Sequence, residues 1–190
     1  MEINFSVEQR SLSMSDCERL CARPSREIQE LANLSGCRIL PGARLSVSVG
    51  SALNMLVLST TKSNGVEPQA MAAWLPGLRN EALLHLGEEI SNWSFEGTSE
   101  ADQKFWPTLY DNRDVVRPRV ARLLGCSTHG TIGQLYFYTQ NDVVCFPNSG
   151  FDTGGHDGPP RFTIFARNLA DKLRATVGGS LFIANAMTVA

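Results

Sequence analysis

Residues 125–177 read GCSTHGTIGQLYFYTQNDVVCFPNSGFDTGGHDGPPRFTIFARNLADKLRATV, and this stretch decides the fold. Two apolar runs, Leu135–Thr139 and Val143–Phe146, flank a polar turn at Gln140–Asp142. Aromatic and β-branched residues of this kind are typical of strands, and a short polar connection between them is typical of a hairpin. The stretch therefore predicts a β-hairpin, followed by a glycine-rich loop and a closing helix.

The closing helix has an apolar stripe of large side chains four residues apart: Phe165, Leu169, Leu173 and Val177. This spacing keeps the side chains on one face of a helix, and charged residues fill the opposite face. Gly178 follows the last apolar residue and predicts the end of the helix. Burying four such side chains contributes about 6–12 kcal/mol before chain entropy is subtracted. We therefore expect this helix to be structural.

Two further helices are predicted near the start of the chain, each with a polar beginning and a defined end. The first begins after Ser13 and runs to about Ala22, and the second is capped by Ser25 and ends at Gly36. Residues 1–10 predict an irregular arm or a short edge strand.

The middle of the chain mixes strand and helix patterns. Leu45–Val49 alternates apolar and polar residues and Asn54–Thr60 is an apolar run, so both are predicted to be strands. The other elements predicted here are a helix at Gln69–Leu75, a helix at Asn80–Ile90, a strand beginning at Trp93 and Phe95, and a short helix at Ser99–Phe105. The sequence does not decide whether Asn112–Leu124 is a helix or a strand, because Pro118 disfavours the interior of either.

Length and composition indicate one domain. The chain has 190 residues, of which 43% are hydrophobic, and a formal net charge of −2. Its near-neutral charge gives no bulk attraction to nucleic acid or to an anionic membrane, and no apolar run approaches the length that spans a bilayer. The predicted fold is a single α+β domain over residues 1–190, with a mostly antiparallel sheet and helices packed on one side.

The five cysteines are an odd number without tight pairing in the sequence. Reduced thiols in a cytoplasmic protein explain this usage. A zinc site would combine Cys126 and His129 with Cys145 and His156, but only the first two are close in sequence and four ligands must converge. Neither of these cysteines lies in a nucleophile elbow or a protease signature. No metal or other cofactor is predicted.

Acid–base side chains in the loops of Gly125–Asp157 leave an enzymatic alternative open. His129, Asp152 and His156 are the candidates for a small hydrolase or transferase. This alternative requires the three side chains to meet in one cleft.

Nucleic-acid binding is a third alternative. It rests on four arginines that are close together in the sequence: Arg113, Arg117, Arg119 and Arg122. Arginine contacts to phosphate would give a salt-dependent affinity. Because the net charge is negative, nucleic acid is not the expected partner.

Aromatic and acidic residues are interleaved in WSFEGTSEADQKFWPTLYD, residues 93–111. One interpretation is a core edge below a solvated acidic loop. The functional interpretation is a docking surface, in which Trp and Tyr anchors lie among acids that select a basic partner protein. The predicted partner-binding residues are Trp93, Glu96, Trp106, Tyr110 and Asp111.

Several segments together carry a family resemblance: Glu27–Leu34 with Gly36 and Leu40-Pro41, Trp106 with its following loop, Gly125–Tyr138, Val143-Val144, and the helix from Ala166 to Leu173. In these segments the chain resembles the SUKH superfamily, a set of α+β domains that includes bacterial toxin-immunity proteins and a fungal cell-wall-synthesis regulator. That family continues after its Leu-Pro turn with a helix and an Asn-Gly turn, whereas Arg44–Val49 alternates like a strand. The resemblance implies a non-catalytic, protein-binding domain of an immunity or regulatory type.

Overall fold

The computed structural model describes residues 3–37, 46–138, 143–146 and 159–188. Its helices and strands follow in the order β1 (Ile3–Gln9), α1 (Met14–Cys21), α2 (Ser25–Leu34), α3 (Val49–Ser63), α4 (Leu75–Gly87), β2 (Trp93–Glu96), α5 (Ser99–Phe105), α6 (Arg113–Leu124), β3 (Gln134–Phe137), β4 (Val143–Phe146), β5 (Phe162–Phe165), α7 (Ala166–Val177) and β6 (Phe182–Thr188). Short 3₁₀ turns lie at Pro68–Met71, Ile90–Asn92 and Trp106–Leu109. The predicted α+β class is confirmed.

The described strands form two three-stranded sheets, where the sequence predicted one mostly antiparallel sheet. The first sheet has the order β1-β6-β2, and β6 pairs antiparallel with β1 but parallel with β2. The second has the order β4-β3-β5, and both of its pairings are antiparallel. The central strand of the first sheet is thus β6, near the C-terminus, which sequence analysis did not identify.

The predicted hairpin is confirmed as β3 and β4, which pair antiparallel with Leu135 opposite Cys145. Its turn at Gln140–Asp142 lies outside the described residues, as does most of the glycine-rich loop. The other side of β3 is occupied by β5, with Ile164 opposite Leu135. Because β5 ends at Phe165, that residue is not part of α7. The apolar stripe of α7 consists of Leu169, Leu173 and Val177.

The two N-terminal helices are confirmed as α1 and α2. Ser13 caps α1: its hydroxyl accepts a hydrogen bond from the Asp16 N–H at 3.2 Å, and the Asp16 carboxylate accepts one from the Ser13 N–H at 2.9 Å. This capping box satisfies two backbone donors at the helix start. The same backbone hydrogen bond from Ser13 holds the pKa of Asp16 below its usual value. Ser25 is the first residue of α2 rather than its cap, and Pro24 takes the cap position.

The two predicted strands at Leu45–Val49 and Asn54–Thr60 are wrong. Within the described residues Val47 makes one antiparallel bridge, with Leu12, and the chain from Val49 to Ser63 is the helix α3. Eleven of its fifteen residues are buried, because α1, α2, α4 and α7 pack around it. A helix that is covered on all sides is apolar on all sides, so its sequence lacks the one-sided stripe of a surface helix.

The helices predicted at Gln69–Leu75 and Asn80–Ile90 differ from those observed. The first is replaced by the 3₁₀ turn at Pro68–Met71, and α4 already begins at Leu75. Pro76 lies in the first turn of α4. Backbone N–H groups have no helical partner in a first turn, so proline is tolerated there.

An aromatic cluster joins the first sheet to α5. The strand β2 of this sheet begins at Trp93 and α5 begins at Ser99, as the sequence predicted. The ring of Phe105 on α5 lies 5.2 Å from that of Phe5, 5.5 Å from that of Phe95 and 5.7 Å from that of Trp93. Tilted and offset ring pairs at these distances contribute about 0.5–1.5 kcal/mol each beyond their buried area. Across the described residues the buried apolar side chains form one continuous cluster, to which all seven helices and both sheets contribute.

The stretch Asn112–Leu124, whose secondary structure the sequence left undecided, forms the helix α6 with Asn112 as its cap. Asn112 caps it by accepting a hydrogen bond from the Val115 N–H at 3.1 Å, and Gly125 ends it with a φ of 63°. Pro118 lies inside the helix on an exposed face. Proline has no backbone N–H, so one carbonyl group of the preceding turn lacks its helical hydrogen bond, and on this exposed face water can bond that carbonyl instead.

Helices α4 and α6 approach closely at Gly87. A Cβ atom at this position would lie within 2.9 Å of Leu124 Cδ1 and closer still to Val120 Cγ1. Val120 is fully buried and its side chain is short, so it cannot move away. The absence of a side chain at Gly87 therefore sets the distance between the two helices.

We expect Gly87→Ala to lower the free energy of unfolding by about 1–3 kcal/mol, because the added methyl group overpacks the contact with α6. Chemical denaturation followed by circular dichroism measures this change. Gly50→Ala in α3 is the matched control: its Cβ would meet its nearest neighbour at 3.5 Å, an ordinary contact, and alanine favours a helix over glycine. Equal stability losses in the two variants would contradict the close approach at Gly87.

Candidate functional site

Glu81 is a charged residue in the interior of the protein. It lies on α4 and is 0% exposed. A buried ion costs several kcal/mol unless it is paired and hydrogen-bonded. Arg117 of α6 donates a hydrogen bond from Nη2 to Oε2 of Glu81, and Nε2 of His85 lies 3.3 Å from Oε1.

Arg117 also contacts the end of α4. Its Nη1 donates to Oε1 of Glu88 at 2.8 Å, and Nε of Arg113 lies 3.3 Å from the other oxygen of Glu88. Arg117 is only 16% exposed, so little water screens its two ion pairs. Because Glu81 and Glu88 are two helical turns apart, the forked guanidinium fixes α6 against α4 at two points.

The last turns of α6 form one wall of a groove that β1 and the Trp106–Leu109 turn complete. The groove has a volume of about 310 Å³ and mainly apolar walls. It is lined by Asn4, Phe5, Thr108, Arg119, Arg122 and Leu123. Sequence analysis missed this groove, because its residues come from three distant segments that only the tertiary fold brings together.

Tyr110 and Asp111, two of the predicted partner-binding residues, directly follow the Trp106–Leu109 turn that borders this groove. Tyr110 is 63% exposed and is two residues from Thr108. Oδ2 of Asp111 lies 3.6 Å from Nη1 of Arg119. An exposed aromatic residue thus directly follows the turn that borders the groove, and the groove residue Arg119 forms an ion pair with Asp111.

The other three predicted partner-binding residues lie elsewhere. Trp93 is 4% exposed and donates from its indole N–H to the Gly87 carbonyl at 2.8 Å, so it is a core residue that no partner can reach. Trp106 is half-buried and donates to Oδ1 of Asp102 at 2.7 Å. Glu96 is exposed on β2, at the opposite edge of the sheet from β1.

The acidic residues of this segment do not form one unpaired acidic face. Glu100 accepts a hydrogen bond from Lys104 at 2.8 Å, and this bond lowers the pKa of Glu100. Asp102 accepts the Trp106 indole N–H, and Asp111 is paired with Arg119. These pairings leave little unpaired negative charge in this segment to attract the basic partner that the sequence predicted.

Three of the four arginines that suggested nucleic-acid binding are engaged with acids. Arg113 and Arg117 pair with glutamates of α4, and Arg119 pairs with Asp111. Arg122 lines the groove, and its side chain has no ion pair or hydrogen bond to a residue that the structure describes. The four side chains thus do not form one free basic patch.

The residues of the enzymatic alternative are only partly described. His129 is exposed in the loop that follows α6, where its backbone N–H donates a hydrogen bond to the Ser127 hydroxyl oxygen at 3.0 Å. Asp152 and His156 lie outside the described residues, and so does the side chain of Cys145. Burial raises the pKa of Cys126, which disfavours the thiolate that a nucleophile needs.

The thiols of α1 are also poorly disposed to react. Burial raises the pKa of Cys17 to about 12 and that of Cys21 to about 11. Within the described part of the chain, no group of three or more His, Cys, Asp and Glu side chains is placed to hold a metal ion. None of the helices described is long and apolar enough to cross a membrane.

Comparison with known proteins identifies no relative. No protein-family model, no curated protein and no solved structure matches the chain. Function therefore has to be inferred from the side chains and their geometry.

We expect Arg117→Met to lower the free energy of unfolding by about 3–5 kcal/mol, because it removes the guanidinium that hydrogen-bonds the buried Glu81 carboxylate. Urea denaturation measures this loss. Arg113→Met is the matched control, because its side chain is 59% exposed and an exposed ion pair contributes about 1 kcal/mol or less.

The double variant Glu81→Leu, Arg117→Met separates the charge from the packing. It should recover most of the stability that Arg117→Met loses, because the buried carboxylate is removed together with its guanidinium partner. A double variant as unstable as the single one would contradict the role assigned to the Glu81 charge.

Proposed function

We propose that this protein is a non-catalytic protein-binding module. It binds its partner through Tyr110, Asp111 and the adjoining groove lined by Phe5, Arg122 and Leu123, which together form the Tyr110 surface. The observation that carries this proposal is the exposure of Tyr110, at 63%, directly after the turn that borders a mainly apolar groove. Exposed aromatic residues next to a pocket are the usual anchors of protein interfaces.

The groove determines what the partner must present. Its volume of about 310 Å³ is at the lower end of ligand-sized pockets, about 300–1,000 Å³, so it accommodates one or two apolar side chains. Arg122 at its edge has no ion pair among the described residues and can form a charge-assisted hydrogen bond with a carboxylate. The partner therefore presents an apolar anchor next to an acidic residue, rather than the basic surface first expected.

The family resemblance supports the same class of function. In the SUKH superfamily a helix and an Asn-Gly turn follow the Leu-Pro turn. Here the helix α3 ends at Ser63 and is followed by Asn64 and Gly65, and this similarity in order supports the proposed resemblance. We therefore propose an immunity or regulatory protein of SUKH-like type.

The described core and thiols support two further parts of this proposal: a single domain and a cytoplasmic location. One continuous apolar cluster joins the described elements, as expected of a single domain. Cys17, Cys21, Cys37 and Cys126 are free thiols. Free thiols are usual in a reducing compartment, and we place the protein in the cytoplasm.

We expect Tyr110→Ala and Arg122→Glu each to weaken partner binding about tenfold or more, because each removes an anchor of the Tyr110 surface. The partner is first captured from the cell of origin with the wild-type protein and identified, and its affinity for each variant is then measured by calorimetry. Arg26→Glu on α2 is the control, since its side chain is 91% exposed and lies outside this surface.

A charge exchange makes the test specific. A partner in which the acid facing Arg122 is changed to Lys should bind Arg122→Glu more tightly than it binds the wild type. Affinities unchanged by both Tyr110→Ala and Arg122→Glu would contradict the proposal. So would a small-molecule turnover by the pure protein that is lost when His129 is changed.

A further inference from the structure

A second cleft lies between the end of α4, the start of α6 and α7, and it shares no residue with the Tyr110 surface. Its volume is about 260 Å³. Most of its walls are charged, and the charged side chains of both signs are Arg113, Arg167, Arg174, Glu88, Glu89 and Asp171. The cleft differs in this respect from the mainly apolar groove, so it is suited to a different class of ligand.

Part of this charge is already balanced within the protein. Glu88 accepts from Arg117 at 2.8 Å and lies 3.3 Å from Arg113. Arg117 in turn neutralises the buried Glu81. These two arginines and two glutamates form a neutral network, which leaves the other charged side chains of the cleft to meet a ligand.

One side of the cleft carries a surplus of negative charge. Arg174 is shared by two acids: its Nη1 lies 3.9 Å from Glu89 Oε2, and its Nη2 lies 3.4 Å from Asp171 Oδ1. Both acids are more than half exposed. One guanidinium cannot neutralise two carboxylates, so this side can accept a cationic group.

Arg167 gives the cleft an unbalanced positive charge. It lies in the first turn of α7, and its side chain forms no ion pair or hydrogen bond with any residue in the described ranges. That first turn contains no acidic residue and no capping side chain, although the positive end of a helix favours an anion. An anionic group bound here would interact with both the Arg167 guanidinium and the positive end of α7.

The floor of the cleft is formed by Asn92, a polar residue that is 1% exposed. Its Nδ2 donates to the Leu86 carbonyl at 2.8 Å, which fixes the orientation of the amide. Its side-chain oxygen accepts no hydrogen bond from any residue that the structure describes. Because Asn92 lines the cleft, this oxygen can accept a hydrogen bond from a ligand there.

We infer that the cleft binds a small zwitterion, a free amino acid, independently of the partner that the Tyr110 surface binds. The carboxylate of the amino acid pairs with Arg167 at the start of α7. Its ammonium group donates to the Asn92 oxygen and to the surplus carboxylate of Glu89 or Asp171. Because the charged walls cancel to near neutrality, a polyanion has no comparable attraction, and the volume of about 260 Å³ restricts the ligand to a small molecule.

Nuclear magnetic resonance titration tests this inference. Each of the twenty common L-amino acids is added separately to the ¹⁵N-labelled full chain. At least one should shift the amide resonances of Asn92, Arg113 and Arg167–Arg174 saturably. For the tightest-binding amino acid, the analogue without the amino group and the analogue without the carboxylate should each bind about tenfold more weakly or worse, because each loses one charge-assisted contact.

Variants locate the two charged contacts. Arg167→Gln and Asp171→Asn should each reduce the affinity for that amino acid about tenfold, whereas Arg26→Gln on α2 should leave it unchanged. Unaltered resonance dispersion outside the cleft shows that the variants fold. The inference is overturned if no amino acid produces saturable shifts, if the deaminated analogue binds as tightly as the amino acid, or if Arg167→Gln retains the affinity.

Discussion

The structure depends on how the charge of Glu81 is neutralised inside the protein. A carboxylate with no exposed surface destabilises the fold unless a cation accompanies it into the interior. Arg117 supplies that cation from α6, and it reaches Glu88 with its other nitrogen. Gly87 lets the two helices approach closely enough for these contacts. The position of α6 is thus set by electrostatics and by packing together.

Both proposed binding sites depend on that position. Arg113, in the first turn of α6, borders the charged cleft, and Arg122 and Leu123, in the last turn, border the groove of the Tyr110 surface. Neither site is formed by one segment: the cleft also needs α4 and α7, and the groove needs β1 and the Trp106–Leu109 turn. A helix held rigidly at its centre can keep both sites preformed, which reduces the entropy that binding costs.

Local features could be predicted from the sequence, whereas long-range ones could not. The pairing of β3 with β4, the helix that begins after Ser13 and the stripe of α7 are encoded within a few residues; they are confirmed except for Phe165, which belongs to β5 rather than to the stripe. The helix α3 was mistaken for strands because it is apolar on every side, which only its burial by four other helices explains. Trp93 and Tyr110 are both aromatic residues in an acidic segment, yet one is 4% and the other 63% exposed. No spacing rule separates them, and none predicts that the acid at Glu81 is buried.

Native-state hydrogen exchange tests most directly whether α6 is fixed by the core. The amides of Val120 and Ala121 in α6 are compared with that of Leu56 in α3, all three being buried residues. If the Glu81–Arg117 pair holds α6 in place, these amides exchange only through global unfolding, and their opening free energies agree within about 1 kcal/mol. Opening free energies for α6 several kcal/mol below that of α3 would show that the helix detaches on its own and would contradict the account.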